Sequence, residues 1–210
     1  MNQGLEEDIK LLSKCISGDR KASETLVRGF SDLVYRSVQY TLIAKHVSFN
    51  RHDLEDLHAT VFLRLFENGC KKLRQYQGKN GCTLASWIRM IAVRTVLDHL
   101  RKKGVDAMTW QKKRISLEKW CEQETEDHEW GVQVERAEKE HFLQLGMEKL
   151  LPRDRLFIKL HFEQGLSIEE VAQAMQLPIG NAYAVKHRAL QRLKSHVASA
   201  RKGSLLHGSV

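Results

Sequence analysis

The chain is poor in the features that mark sheets, metal sites and membrane spans. Its 210 residues include two prolines, and runs that alternate apolar and polar residues are hard to find. Long stretches are therefore free to form helices, and a half-buried sheet is not expected. The four cysteines, Cys15, Cys70, Cys82 and Cys121, form no Cys-x-x-Cys pair, and the histidines add no spacing that would complete a zinc site. No cofactor or structural metal is expected, and the thiols should stay free in a reducing compartment. No apolar run approaches the roughly 18 residues that cross a bilayer, and the opening MNQGLEEDIKLL is acidic, without a signal-peptide core. The expectation is a cytoplasmic protein with no membrane insertion.

Charge is plentiful and unevenly placed. The formal net charge is +8, which favours a polyanionic partner, although basic tails on unrelated proteins give the same total. Residues 69–114 carry 12 basic residues against 2 acidic, residues 115–148 carry 3 against 10, and residues 149–210 carry 10 against 4. Two basic blocks thus flank an acidic spacer. The spacer, with Trp120 and Trp130, reads as a linker, partly helical over 132–145; a path alongside DNA or a cover over a basic face is the livelier alternative.

The clearest local structure lies in the C-terminal block. Ser167 and Glu170 form the two ends of a capping box, and Ile168, Val171, Ala172 and Met175 then recur at helical spacing until Gln176-Leu177-Pro178. A second helix begins near Ile179, with Ala182, Val185, Ala189 and Leu193 on one face. Asn181, Tyr183, Lys186, His187 and Arg188 supply amide, phenol and cationic groups elsewhere. A short capped helix, a tight corner and a longer basic helix match a helix-turn-helix able to enter a major groove. An ordinary helical hairpin with a solvated basic face is the plainer alternative. The tail after Lys194 has the small, polar composition of a frayed terminus.

Upstream, Leu5, Ile9, Leu12 and Ile16 mark a first helix ending at Gly18, and a second runs from about Lys21 to Phe49-Asn50. A third is predicted over 53–66, with Asp53, Glu55 and Asp56 at its positive end. Its apolar surface is broader than one core contact needs: Leu54, Leu57, Val61 and Leu65 form a stripe, Phe62 and Phe66 lie beside it, and Leu63 lies opposite. A second partner, inside or outside the chain, is implied. Residues 69–82 read as a glycine-punctuated connector in which Lys71, Lys72, Arg74 and Lys79 surround Tyr76 and Asn80. Such a loop suits an unstacked base, held by stacking and amide hydrogen bonds, or is simply solvated. A long helix is predicted over 83–103, carrying Trp87, with Asp98 placed to hold both Arg94 and Arg101.

Asp53-Leu54-Glu55-Asp56-Leu57, Val61-Phe62-Leu63-Arg64-Leu65, Gly81, Trp87, Ile91-Ala92, Arg94, Asp98 and Leu100-Arg101 resemble the second conserved region of bacterial sigma factors. The compact extracytoplasmic-function group is the nearest in kind. Leu151-Pro152-Arg153, residues 165–172, Gly180, His187-Arg188-Ala189 and Arg192-Leu193 resemble that group's fourth region, and Gly18-Asp19-Arg20-Lys21-Ala22 its opening. Two stretches depart from the pattern. Ala59-Thr60 stands where glutamine-glutamate is usual, and Tyr183, Val185 and Lys186 replace a lysine, an arginine and a core leucine. Either the last helix rotates slightly or Lys186 snorkels past the core edge.

The resemblance implies an all-α protein of two small helical domains: 1–103 for polymerase docking and the minus-ten element, 146–197 for the minus-35 element, a 104–145 linker between them and a flexible 198–210 tail. It implies no catalysis. Expected partners are core RNA polymerase and promoter DNA, with room for an anti-sigma factor. Asp53, Asp56, Leu57, Thr60, Leu63 and Arg64 would meet the polymerase. Lys71, Lys72, Tyr76, Lys79, Asn80, Trp87, Arg94, Asp98 and Arg101 would serve the minus-ten element and melting. Ser167, Asn181, Tyr183, Lys186, His187 and Arg188 would meet the minus-35 duplex. The rival readings are a self-sufficient helix-turn-helix regulator and, with less support, a metal-dependent nucleic-acid enzyme built on Asp53, Glu55 and Asp56.

Overall fold

Helix starts in the first half are set by short polar side chains. The computed structural model describes residues 3–104 and 140–207, and no strand occurs among them. After α1 (Gln3–Ile16), the chain turns at Gly18, whose φ of 88° is left-handed, and Asp19 caps α2 (Arg20–Ala44) by accepting from the Ala22 amide at 3.1 Å. Helix α3 (Arg51–Arg74) starts two residues earlier than its acidic turn suggests, because Asn50 and Asp53 form a reciprocal capping box with both bonds at 2.9 Å. It also runs further than predicted. Asn68, Gly69 and Cys70 take left-handed φ angles that break it, after which Lys71–Arg74 resume helical turns, so the first part of the expected loop is helix. A 3-10 turn (Lys79–Gly81) leads into α4 (Leu84–Lys102), capped by the Thr83 hydroxyl at 3.1 Å from the Ser86 amide.

The second half consists of α5 over 140–148, α6 (Pro152–Ile158) continuing into one π turn (Lys159–Glu163), α7 (Ile168–Met175) and α8 (Ile179–His207). Residues 140–145 are helical, within the part of the linker expected to be partly so, whereas α8 continues to His207 where a frayed tail was expected. Ala198 and Ala200 favour that continuation. Trp120, Cys121, Trp130 and the rest of 105–139 lie outside the described residues.

Leu26, Val34, Leu42, Leu65, Leu73, Leu84 and Ile88 are fully buried and join α1 to α4 into one core. Leu150, Ile158, Ala189 and Leu193 form a smaller one beneath α5 and α8. There the helices cross closely enough that a Cβ on Gly146 would come within 2.7 Å of Val197 Cγ2. Arg155, 5% exposed, ties α5 down: its guanidinium donates to the carbonyls of Met147 at 2.7 Å, of Leu150 at 3.0 Å and of Glu148. The Met147 and Glu148 carbonyls end α5 and have no partner within it. Burial pulls the pKa of Arg155 down to about 10. A third apolar layer joins the halves, with Ala44, Met90 and Val93 packed against Leu156, Phe157, Leu160, Leu166 and Val171.

Candidate nucleic-acid interface

The connector and α4 form one basic surface. Lys71, Lys79, Asn80, Arg94 and Arg101 are exposed, and Lys72 is half-buried at the edge of a cleft of about 620 Å³ that Arg94, Asp98 and Lys102 also line. Asn80 is lifted outward by a left-handed φ of 55° within the 3-10 turn. Asp98 does hold two guanidinium groups, but they are not the expected pair. Arg101 lies 3.3 Å away and Arg64, reaching across from α3, lies 3.0 Å away. Side chains on a helix lean toward its N-terminus, so Arg101 leans toward Asp98 while Arg94, one turn before it, leans away. Arg64 is therefore a bridge between α3 and α4 as well as a group on the α3 surface, and it also reaches Thr95 Oγ1 at 3.4 Å.

Tyr76 differs from the open stacking platform expected of it. The residue is 8% exposed, its hydroxyl donates to the Cys82 carbonyl at 3.1 Å, and its ring lies tilted against Trp87 with centroids 6.4 Å apart. Burial and the nearby Asp8 carboxylate push its phenol pKa up to about 12. The ring closes the connector onto α1, where Gly78, at a left-handed φ of 60°, is crowded against the Leu5 side chain so that an added Cβ would force Leu5 to move. Trp87 is half-buried, and its Nε1 is enclosed without a hydrogen-bond partner. Nothing in the spacing of residues 69–82 separates a tyrosine that stacks outward from one that closes its own loop.

The breadth of the apolar surface on α3 is mostly used within the chain. α1, α2 and α4 all pack on this helix; Phe62 is 8% exposed beneath His58, and Leu57, expected at a partner surface, is 3% exposed in the core. Leu63 alone stands out on α3, at 69% exposure, with half-buried Thr60 one turn and Asp56 two turns before it. Asp53 is committed to the capping box, Glu55 pairs with Arg51 at 2.7 Å and Asp56 with His52 at 3.6 Å. The three carboxylates thus point to three different partners, and among the described residues no group of His, Cys, Asp or Glu is clustered to hold a metal.

In the helix-turn-helix, the Ser167–Glu170 capping box is present with bonds of 3.1 and 2.8 Å. The corner turns at Gln176 with φ 57°, which places Asn181, Tyr183, His187 and Arg188 on the exposed side of α8. Tyr183 donates to Glu169 at 3.4 Å, linking the two helices. Val185 is 1% exposed in the core, while Lys186 is half-buried with its ammonium 5.7 Å from the centre of the Phe162 ring. The helix keeps its register, and the lysine lies over an aromatic face. Sequence reasoning passed over Asp154, which is fully buried and receives a 2.5 Å bond from Arg192, anchoring α6 to α8. The signal was available: Asp154 follows a proline at the start of α6, in the helix's first turn.

Comparison with known proteins agrees with this two-part geometry. The description "Sigma-70 region 2" matches residues 27–105, and "Sigma-70, region 4" matches residues 146–195. The chain is 29% identical over 189 residues to the ECF RNA polymerase sigma factor SigE of Mycolicibacterium smegmatis, covering 87% of this chain and 65% of that protein. It is 22% identical to the ECF RNA polymerase sigma-E factor of Haemophilus influenzae over 90% of this chain and 95% of that one. Among solved structures, that of CnrH in complex with the cytosolic domain of CnrY has a TM-score of 0.51 at 16% identity, covering 91% of this chain and 97% of that chain, a likeness of fold. With both regions present in order on helices α2 to α4 and α5 to α8, the chain belongs to the sigma-70 family, in its ECF group.

Proposed function

We propose that this chain is a dissociable specificity subunit that binds core RNA polymerase, recognises two promoter elements and assists melting of the upstream edge of the minus-ten element, with no catalysis of its own. One observation carries the reading: a region 2 with exposed cations around Asn80 and a region 4 with a capped recognition helix occur in order on a single chain. In this reading Asp56, Thr60 and Leu63 on α3 dock on the polymerase, and Arg64 holds α3 to α4 through Asp98. Lys71, Lys79, Arg94 and Arg101 neutralise phosphate, and Asn80 receives an extruded base. Tyr76 and Trp87 form the floor on which the connector rests. Asn181, Tyr183, His187 and Arg188 meet the major groove, and Ser167 positions the preceding helix. Lys186 joins them from the edge of the Phe162 ring. The proposed division places the first domain up to about residue 103 and the second from no later than residue 140, where α5 is already helical.

Core polymerase, promoter DNA and an anti-sigma factor are the proposed partners, the last resting on family membership alone. The work is done in the cytoplasm; among the described residues no helix is long and apolar enough to cross a membrane. Co-elution of the full chain with purified core RNA polymerase tests the reading. A stable complex of equal stoichiometry is expected, and a chain that elutes alone at micromolar concentrations of both would overturn it.

A further inference from the structure

The second helix of the helix-turn-helix carries its charge late. Ala182, Val185, Ala189 and Leu193 are buried and fix which side of α8 faces inward. The first two turns therefore present Asn181, Tyr183 and Ala184 outward, with Gly180 adding no side chain. None of these is a cation. Lys186 is the only basic residue in 179–186, and it lies one turn from buried Ala182 and Ala189. It is itself half-buried, its ammonium 5.7 Å from the centre of the Phe162 ring. The first exposed lysine or arginine along α8 is Arg188.

This order of side chains has a chemical meaning in a major groove. Guanine presents two acceptors, O6 and N7, which the donors of arginine or lysine match; adenine presents an acceptor beside a donor, which an asparagine amide matches; thymine presents a methyl group, which an apolar surface matches. Asn181 supplies the amide. Ala184, one turn further on, supplies a bare methyl. Tyr183 offers its ring, because its hydroxyl is committed to Glu169 at 3.4 Å. With Ile179 one turn before it, at 52% and 47% exposure respectively, it makes an apolar flank to the same two turns. In a helix-turn-helix the N-terminal residues of the second helix are those that reach base edges. The turns placed to read bases are thus the turns without a free cation.

We infer that the first two turns of α8 select A·T base pairs, Asn181 pairing with an adenine while Ala184 and the Tyr183–Ile179 flank cover thymine methyl groups, and that no guanine is read before Arg188. This rests on the proposed function and names the class of sequence that its minus-35 contact takes. Seven residues separate Asn181 from Arg188, about 10 Å along the helix. The A·T positions therefore extend over about three base-pair steps.

The complex of the full chain with core polymerase, offered a pool of random-sequence duplexes, tests this. The bound fraction should share an upstream element with A·T pairs at two or more neighbouring positions. On the best-bound duplex, replacing those thymines with uracil removes only the methyl groups and leaves the protein untouched. Binding should weaken about fourfold for each methyl group that is covered, the worth of one buried carbon. Ala184→Gly should abolish the sensitivity at one position, with helical circular dichroism unchanged. Asn181→Ala should lower the preference for adenine over guanine at one position by about five- to 150-fold. Guanine or cytosine selected at the position that Asn181→Ala relaxes, an unchanged preference in that variant, or a wild-type complex indifferent to uracil overturns the inference while polymerase binding remains intact. A chain that forms no complex with core polymerase overturns instead the functional reading beneath it.

Discussion

Truncating Tyr76 to alanine should cost the α1 to α4 half about 3–5 kcal/mol, the range for emptying a buried aromatic site. The ring is 8% exposed and belongs to the cluster that includes Leu73, Leu84 and Ile88, so its removal leaves a cavity that a four-helix core cannot fill without moving the connector. Tyr76→Phe keeps the ring and loses only the 3.1 Å bond to the Cys82 carbonyl, a cost of about 1 kcal/mol. A domain of this size loses about 4–8 °C of melting temperature per kcal/mol. The phenylalanine variant should therefore melt about 4–8 °C lower and the alanine variant at least about 12 °C lower. Thermal unfolding of the full chain, followed by circular dichroism, measures both, and permanganate reactivity at a mapped promoter measures opening. A Tyr76→Ala protein that melts within about 2 °C of wild type while failing to open promoters would refute the reasoning, since it would make the ring an exposed stacking platform rather than part of the core.

Asn80→Ala should leave closed-complex formation intact and weaken opening by about 1–3 kcal/mol, seen as reduced permanganate reactivity in the minus-ten element. Arg188→Ala should instead weaken closed binding: about 1–3 kcal/mol of discrimination disappears at one upstream position if the guanidinium meets a base edge, or the salt slope shrinks by about one if it meets phosphate. The same defect at the same step in both variants would contradict the division of labour. Asp56→Lys combined with Leu63→Ala should reduce core-polymerase affinity about tenfold or more in a titration, with helicity unchanged, because exposed apolar anchors carry interface energy; unchanged affinity would remove α3 from the dock. His46 and His99 both titrate below the ordinary 6.5, chiefly through burial, with Arg155 and Lys103 respectively adding to the shift. The folded state thus prefers their neutral forms. Their contribution is complete above pH 6.5 and is lost as pH falls through that value toward the lowered pKa values. Melting temperature should therefore fall between about pH 7.5 and 5.5, and a flat or rising profile would show that other groups dominate.

Local signals in this chain were readable where a few neighbouring residues decide the outcome. The Ser167–Glu170 box and the corner before Pro178 specify α7 and the start of α8 without help from distant contacts. The opening of α3 shows the limit of the same logic. Its acidic turn looked like a dipole match, whereas Asn50 and Asp53 form the box, because capping depends on backbone geometry that composition only suggests. Side chains whose partners come from another helix were harder still. Arg64 reaches Asp98 across 34 positions, and Tyr76 turns inward because α1 and Trp87 close over it. The packing of region 4 on α4 left no separate trace in the sequence, since Met90 and Val93 extend an apolar pattern that the first core already explains.

The central claim is that this chain gives core polymerase a promoter preference that it otherwise lacks. Transcription from fragmented genomic DNA of the source organism by core polymerase, with and without the purified chain, followed by mapping of RNA 5′ ends, measures it directly. A defined set of starts that share two upstream elements and appear only when the chain is present is the expected result. Identical start sites with and without a chain that retains its helicity would contradict the account.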